Sequence, residues 1–184
     1  MEGHHLIMGT LYDVITGVAL DDTHDERYRQ SIARLLVYEK GYPQTAVHPR
    51  QPLIVSAGER RGKLWVDFTI AQDDRTLMVI RYGPGSLVTR QRPALAISRL
   101  ITPYQVPVVV VTNGEDADIL DGETGDVTAS GLDAIPSWQD LINQAKTAQF
   151  TSISSYRAEM EARIAYAFEI DGACPCDTDV CRLD

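Results

Sequence analysis

The 184-residue sequence lacks a hydrophobic run that could cross a membrane, and only 7% of its residues are aromatic. A membrane-spanning helix needs about 18 or more consecutive apolar residues. The longest apolar run here, residues 106–111, is interrupted by Pro107 and is typical of a buried strand. The first residues, Met-Glu-Gly-His-His, also lack the basic segment and the small-residue cleavage site of a secretory signal. These absences predict a cytoplasmic protein without a membrane partner.

Positive charge is scarce as well, because 17 Lys and Arg residues stand against 26 Asp and Glu residues, for a net charge of −9. This balance argues against a general nucleic-acid coat, which needs excess Lys and Arg to neutralise phosphates. The charge is uneven, since residues 50–99 contain nine basic and four acidic residues, and eight of the nine are Arg. Arg is suited to bidentate phosphate contacts, so this segment is the candidate anion-binding region. The alternative is a solvated sheet edge whose loops collected arginines by chance.

The residues that are present indicate one α/β domain. A hydrophobic content of 44% over this length fits a single globular domain. Thr23 follows two Asp residues as part of a predicted N-cap for a first helix that ends at Gly41, and Pro93 is a predicted first-turn residue of a helix that reaches Ile101. The other predicted elements are a short hairpin or an extended lead-in in residues 8–20, strands in 53–55, 64–71, 77–82, 107–111 and 117–120, a five-residue hairpin loop in 72–76, and helices in 137–149 and from about 152.

The last predicted helix carries apolar residues at helical spacing. They are Ile153, Tyr156, Met160, Ile164 and Phe168. A stripe of this kind predicts the face that the helix buries against the core.

The order of these elements, and four short segments within it, point to a known family. The segments are Asp22–Gln30 (DTHDERYRQ), Gly41–Pro43 (GYP), Val66–Ile70 (VDFTI) and Val108–Gly114 (VVVVTNG). Together they make the stretch from Asp13 to Gly125 resemble the N-terminal nuclease domain of type I restriction enzyme R subunits. The resemblance implies a restriction-endonuclease-like fold, with helices flanking a central mixed β-sheet and followed here by C-terminal helices. It also implies PD-(D/E)xK chemistry.

In that family, a strand-borne Asp and an E-x-K motif one strand later hold Mg²⁺ and activate water, often with an acidic residue on the first helix. The resemblance places the Asp at Asp67 and the helix acid at Glu26, and it puts Arg81 and Gly83 where the Glu and Lys of E-x-K belong. A cation repels Mg²⁺ and glycine offers no donor, so Asp67 and Glu26 are vestigial on this interpretation. We predict instead an ion pair between Arg81 and Asp67 across adjacent strands. The alternatives are a solvent-facing strand residue for Asp67 and a helix N-terminal charge for Glu26.

The leading hypothesis is therefore a pseudo-nuclease, a catalytically inactive nuclease-fold domain that binds DNA or an acidic protein partner. The candidate nucleic-acid-binding residues are Arg81, Arg90, Arg92 and Arg99. The second hypothesis is a divergent Mg²⁺-dependent DNA endonuclease that uses Asp67 and Glu26, with Glu59 as the nearest further acid.

All three cysteines lie within eight residues, at Cys174, Cys176 and Cys181. We interpret residues 1–172 as one domain and residues 173–184 as a Cys-rich tail. Thiols in this C-x-C-x₄-C spacing are typical ligands of Zn²⁺ or an iron–sulfur centre, and both prefer four ligands. Candidates for the fourth ligand are His4, His5, an Asp of the tail, an exogenous ligand, and a thiolate from a second chain in a homodimer.

The competing interpretations of the cysteines are a tail with redox-labile thiols and a disulfide between two of them. If the tail does bind metal, a third functional hypothesis follows, a metal- or redox-responsive interaction protein.

Overall fold

A computed structural model describes residues 6–173 and 180–183, and this part of the chain contains nine strands and four α-helices. The strands are β1 (Thr10–Tyr12), β2 (Ala19–Asp21), β3 (Val47–Ala57), β4 (Arg60–Gln72), β5 (Arg75–Tyr82), β6 (Val108–Thr112), β7 (Ala117–Asp121), β8 (Val127–Ser130) and β9 (Val180–Arg182). The helices are α1 (His24–Arg34), α2 (Val88–Ser98), α3 (Trp138–Ala145) and α4 (Ser155–Ala165). Two π-helical segments, Leu35–Glu39 and Tyr166–Asp171, prolong α1 and α4.

Strands β3 to β9 form one mixed sheet in the spatial order β3-β4-β5-β6-β7-β8, with β9 beside β4. Strands β5 and β6 run parallel, whereas the other neighbouring strands are antiparallel. The predicted α/β class is thereby confirmed, and the predicted N-terminal hairpin is the separate pair β1–β2. Within the described residues, every helix is too short or too polar to cross a membrane.

Helix α1 begins as its sequence predicts. The Thr23 hydroxyl accepts a hydrogen bond from the Glu26 backbone N–H at 3.1 Å, which satisfies one of the free donors of the first turn. Asp25 and Glu26 lie in that turn, where the helix dipole favours acidic side chains. Gly41, with a φ of 74°, follows the π-helical segment and turns the chain toward β3. The cap fixes where Glu26 and the residues one turn later stand over the sheet.

Helices cover both faces of the sheet. On β5, Met78 and Ile80 pack with α1 and α3, whereas Val79 between them packs with α2 and α4. The four valines of β6 alternate in the same way and are all buried. Two apolar layers on opposite faces explain why these strands are continuously hydrophobic.

In the long hairpin β3–β4, the side chains that pack in one apolar layer along the first half of each strand are replaced, in the second half, by side chains that pack in the opposite layer. Phe68 packs in the layer under α1, but Val66 packs in the layer under α4, although residues two apart share a face in a regular strand. The change on β3 falls at Arg50, whose φ of 53° lies in the left-handed region that non-glycine residues avoid. Asp67 is the residue of β4 at this crossing point.

The turn between β4 and β5 is shorter than the sequence predicts. Strand β4 extends to Gln72 and β5 starts at Arg75, so Asp73 and Asp74 form a two-residue turn in place of the predicted five-residue loop. Both residues have positive φ, 50° and 61°. This is the requirement of a type I′ hairpin turn, which is usually met by Asn-Gly or Asp-Gly. Asp-Asp is not one of these usual pairs, so the sequence did not predict a two-residue turn.

Helix α2 begins at Val88, so the prediction that Pro93 stands in its first turn was wrong. The backbone N–H groups of Arg90 and Gln91 donate to the Leu87 carbonyl and build the first turn ahead of the proline. Pro93 lies inside the helix and is tolerated there at the loss of one backbone hydrogen bond. Strand β8 was not predicted, because its short sequence alternates weakly and is largely exposed.

The predicted buried stripe of α4 is wrong in its outer members. Tyr156 is 73% exposed and Phe168 is 57% exposed. The buried residues of α4 are Glu161 and Ala165, one helical position away from the apolar stripe. A small residue and a charged residue thus form the inner face, which hydrophobic periodicity does not detect.

Strand β9 fills a gap in the sheet. The pairing of β4 with β5 ends at Phe68 and Ile80, and beyond that point β4 diverges from its neighbour. Val180–Arg182 then pairs with residues 62–64 of β4 on the side that β5 has left. The sheet therefore forks at residues 65–67, next to the crossing point of β3 and β4.

Candidate functional site

Asp67 lies buried at the fork, and both of its carboxylate oxygens have donors. Its Oδ1 accepts from Arg29 Nε at 2.8 Å. Its Oδ2 accepts from Arg81 Nη1 at 2.8 Å and from the backbone N–H of Tyr82 at 3.0 Å. Burial alone raises the pKa of Asp67, but the charges of Arg81 and Arg29 outweigh it and hold the pKa below its usual range. The predicted ion pair between Arg81 and Asp67 is confirmed.

The Arg81 guanidinium bridges two carboxylates. Besides Asp67, it donates through Nη2 to Glu169 Oε2 at 2.7 Å, and through Nη1 to the Trp65 carbonyl at 2.6 Å. Burial lowers the pKa of Arg81, but Asp67 and Glu169 more than compensate and raise it above the ordinary arginine value. Because the Trp65 carbonyl lies where β4 parts from β5, Arg81 also satisfies a backbone acceptor of the fork.

Glu26 is buried on α1 and is held from three sides. Its Oε2 accepts from Arg50 and lies 3.7 Å from Arg29 Nη1. Its Oε1 accepts from Gln30 Nε2 at 2.8 Å. Gln30 also donates to Asp13 Oδ2 at 3.1 Å, which ties the β1–β2 hairpin to α1. Arg50, which has the left-handed backbone conformation, therefore also contacts Glu26 through its guanidinium group.

Arg29 joins the two halves of this arrangement, because it contacts both Glu26 and Asp67. We call the resulting set the Asp67 cluster. Its members are Glu26, Arg29, Arg50, Asp67, Arg81 and Glu169. Three carboxylates face three guanidinium groups, so the cluster is neutral as a unit.

The Asp67 cluster does not fit the Mg²⁺ that PD-(D/E)xK chemistry requires. Mg²⁺ takes oxygen ligands in a near-octahedral arrangement and keeps several waters, whereas the Asp67 oxygens are already occupied by fixed N–H donors. Across residues 6–173 and 180–183, no group of three or more His, Cys, Asp or Glu side chains is arranged to hold a metal ion. Glu59 lies in the turn between β3 and β4, eight residues and about 26 Å of extended chain from Asp67.

A further guanidinium, that of Arg90, lies against Gly83. A Cβ added at Gly83 would come within 2.3 Å of Arg90 Nη1, so the Arg90 side chain fills the space that a side chain at residue 83 would need. Arg90 Nε donates to the Pro84 carbonyl at 3.1 Å. No carboxylate of the described chain pairs with Arg90. A cation from α2 therefore lies against the end of β5 without an acidic partner there.

A second buried cluster links α2 and α4. Glu161 accepts from Arg99 Nη1 at 2.8 Å and Arg157 Nε at 3.0 Å, and it forms an ion pair with Arg92 Nη1 at 2.6 Å. We call these four residues the Glu161 cluster. Burial raises the pKa of Glu161, but Arg92, Arg157 and Arg99 together lower it below the usual range.

The four predicted nucleic-acid-binding arginines thus differ in accessibility. The side chains of Arg81 and Arg99 are 13% and 2% exposed and are paired with carboxylates. Arg92 is 44% exposed although it also contacts Glu161. Arg92 is exposed and Arg90 is half-buried, so these two are the more accessible members of the set.

Sequence reasoning missed Arg29, Arg50, Glu169 and Glu161. Arg29 could have been predicted. It stands three residues after Glu26, and opposite charges at this spacing on a helix lie close enough to pair. Arg50 and Glu169 meet their partners only through long-range contacts. Glu161 has Arg157 four residues before it on the same helix, but its other two partners are distant in sequence.

Of the predicted metal-binding cysteines, Cys181 lies exposed on β9, where it is paired with Lys63 of β4. Cys174 and Cys176 lie outside the described residues. The predicted Zn²⁺ or iron–sulfur site therefore stays a prediction.

A comparison with known protein families finds one that matches more than half of the chain. A family model described as Type I restriction enzyme R protein N terminus matches residues 24–136, which is more than half of the chain. The match includes α1, the β3–β5 meander and strands β6 to β8, and with them every member of the Asp67 cluster except Glu169. Comparisons with curated proteins and with solved structures found no match.

Proposed function

Because the chain belongs to the type I restriction enzyme R protein N-terminal family, we propose that it is a pseudo-nuclease domain that binds the nucleic-acid backbone without cleaving it. The observation that carries this proposal is the Arg81 guanidinium between Asp67 and Glu169. A permanent cation of the protein takes the place beside Asp67 that a divalent metal needs.

Electrostatics support the loss of hydrolysis. A bound metal lowers the pKa of its water and neutralises the phosphate that is attacked. Arg81 pairs with Asp67 and Glu169 but activates no water, and Gly83 supplies no ammonium group. The neutral Asp67 cluster therefore offers structural stabilisation to the fork of the sheet and no hydrolytic chemistry.

The test of this part is a thermal-shift titration of the full chain with Mg²⁺ and Mn²⁺, together with a plasmid and oligonucleotide cleavage assay. A ligand that binds the native state stabilises it by about 2.7 kcal/mol at a hundredfold excess over its Kd, which is readily measured. We expect no saturable stabilisation and no cleavage. Metal-dependent cleavage that Asp67→Asn abolishes would instead establish the divergent endonuclease.

A restoring variant provides the converse test. Arg81→Glu with Gly83→Lys rebuilds E-x-K, and Arg90→Ala must accompany them, because Arg90 occupies the space beside residue 83. We expect the triple variant to gain Mg²⁺-dependent stabilisation that Arg90→Ala alone lacks. A folded triple variant that remains indifferent to Mg²⁺ would show that the assigned E-x-K register is wrong.

The binding part of the proposal depends on the outer side of α2. Arg90 has no carboxylate partner in the described chain, and Arg92 is partly exposed. Residues 50–99 carry the positive excess of an otherwise acidic chain. Arg side chains that are not neutralised internally are the groups that contact phosphates.

The experiment is a fluorescence-anisotropy titration of a short DNA duplex and a single strand at several salt concentrations. Arg90→Ala should weaken binding and reduce the salt dependence, because each lost phosphate contact lowers the slope of log K against log salt by about 1. Arg34→Ala, an equally charged change at the exposed end of α1, is the matched control. Wild-type protein without any salt-sensitive binding would exclude nucleic acid and leave an acidic protein as the partner class.

A further inference from the structure

Helix α4 presents a second apolar face that the described protein covers only in part. Tyr156, Met160, Ile164 and Phe168 follow one another at intervals of four residues, and we call them the outer stripe. Tyr156 and Phe168 are largely exposed, and Met160 and Ile164 are partly exposed. Single exposed apolar residues are common on protein surfaces, but a contiguous apolar patch marks an interaction site.

The inner face of the same helix accounts for its attachment to the domain. Ala165 and Ile170 pack in the layer with β3, β4 and α2, and Glu161 holds three arginines. Of the outer stripe, Ile164 also packs against this layer, whereas Tyr156, Met160 and Phe168 belong to no core cluster of the described residues and are not needed to dock α4. The π-helical segment that follows residue 165 has a wider turn than an α-helix, which keeps Phe168 in line with Ile164.

We propose that the outer stripe is a homodimer interface in which the α4 helices of two copies pack antiparallel. The argument is the symmetry of the stripe, which reads aromatic, aliphatic, aliphatic, aromatic. A two-fold axis midway between Met160 and Ile164 would place Tyr156 of one copy against Phe168 of the other. It would also place the two aliphatic residues against each other. An interface of two identical patches must be self-complementary in this way.

The charges beside the outer stripe are compatible with this arrangement. Glu159 and Arg163 form an exposed ion pair along one side of it, and Arg157 on the other side is held by Glu161. These groups need not be stripped of their partners when the stripe is covered. In the antiparallel arrangement, Glu159 of one copy comes near Arg163 of the other, which favours the same pairing across the axis. Aromatic residues at the ends of the stripe are the residue types that dominate interface energetics.

The experiment is sedimentation equilibrium of the full chain from about 1 to 200 μM, with the 20.4 kDa monomer mass as reference. We expect a concentration-dependent dimer and at least a tenfold higher dissociation constant for Phe168→Lys and for Tyr156→Glu. Tyr38→Lys is the matched control, because Tyr38 is an aromatic residue that is 70% exposed on another helix, and it should leave the dimer unchanged. Melting curves of all three variants check that each is folded.

The double variant tests the antiparallel geometry. With Tyr156→Glu and Phe168→Lys together, each copy would place a Glu against a Lys of the other, so the double variant should be weakened by less than the product of the two single effects. A purely multiplicative effect would contradict the antiparallel register. A wild-type chain that remains monomeric at 200 μM, or a dimer that Tyr38→Lys weakens as much as Phe168→Lys does, would overturn the proposal without affecting the nucleic-acid hypothesis.

Discussion

The two arginine clusters of this domain bury carboxylates by different arrangements. In the Asp67 cluster, Arg29 and Arg81 each contact two carboxylates, so positive and negative groups alternate and their charges balance. In the Glu161 cluster, one carboxylate is the common partner of three guanidinium groups. A buried charge is tolerated only while it is paired. If one carboxylate of the first cluster is removed, Arg29 and Arg81 each keep another. If Glu161 is removed, all three arginines of the second cluster lose the carboxylate that they share.

The difference also explains how the arginine-rich segment is used. Arg50 and Arg81 belong to the neutral cluster, and Arg92 and Arg99 belong to the positive one. Half of the eight arginines in residues 50–99 therefore join helices to the sheet or to one another. Arg90 differs from these four, since no carboxylate of the described residues pairs with it.

The sharpest way to break the comparison is to neutralise the two central carboxylates in turn. Glu161→Gln should have the larger effect, about 3 kcal/mol of unfolding free energy, because the buried Arg99 loses its charged partner. Urea unfolding measures the change. Glu159→Gln, on the exposed side of the same helix, serves as control and should cost less than about 0.5 kcal/mol.

Asp67→Asn should cost less, about 2 kcal/mol, since Arg29 retains Glu26 and Arg81 retains Glu169. The same unfolding assay applies. An effect of Asp67→Asn larger than that of Glu161→Gln would show that shared partners provide no redundancy, and the comparison between the clusters would fail.

Acid should weaken both clusters with the same sign. The folded pKa values of Asp67 and Glu161 lie below their ordinary values because of the adjacent arginines. The unfolded chain therefore binds more protons than the folded chain in acid, so the stability that both groups provide is present at neutral pH and is lost as the pH falls below about 5. Urea midpoints between pH 7 and pH 3 should fall less steeply in Glu161→Gln and in Asp67→Asn than in the wild type. Equal slopes would contradict the assigned direction.

The smallest expected effect is that of Gly83→Ala. The added methyl group meets only the end of the Arg90 side chain, which can move, so the unfolding free energy should change by less than about 0.5 kcal/mol. DNA affinity should fall nonetheless, because Arg90 is displaced from the end of β5. A stability loss of several kcal/mol would show instead that Arg90 is a structural residue like Arg81.

Local sequence signals predicted the parts of the fold that local forces determine. The cap at Thr23, the β4–β5 meander and the Val-rich strand follow from side-chain chemistry and alternation within a few residues. The pair of Arg81 with Asp67 was also predictable, because the two residues stand on adjacent strands. The contact between Glu169 and Arg81 joins residues that are 88 positions apart in the sequence. No local sequence pattern predicts a contact over this separation.

The orientation of α4 was not predictable for a related reason. Its apolar stripe is the stronger hydrophobic pattern, yet the helix buries Glu161 because three arginines from α2 and α4 are available to pair with it. Hydrophobic periodicity describes which residues prefer to leave water, and it does not distinguish the core of one chain from an interface between two. Hydrophobic periodicity also did not predict the crossing of β3 and β4. The change of face there depends on the backbone conformation at Arg50, which the pattern of apolar residues does not describe.

Strand β9 has a consequence for how this protein tolerates truncation. By pairing with residues 62–64, it covers the stretch of β4 that β5 leaves free. An uncovered strand edge presents unpaired N–H and C=O groups that recruit strands of other molecules. Cleavage of the chain after residue 173 would expose this edge, so we expect truncated protein to form insoluble aggregates from the native state, before any loss of the helices is detectable.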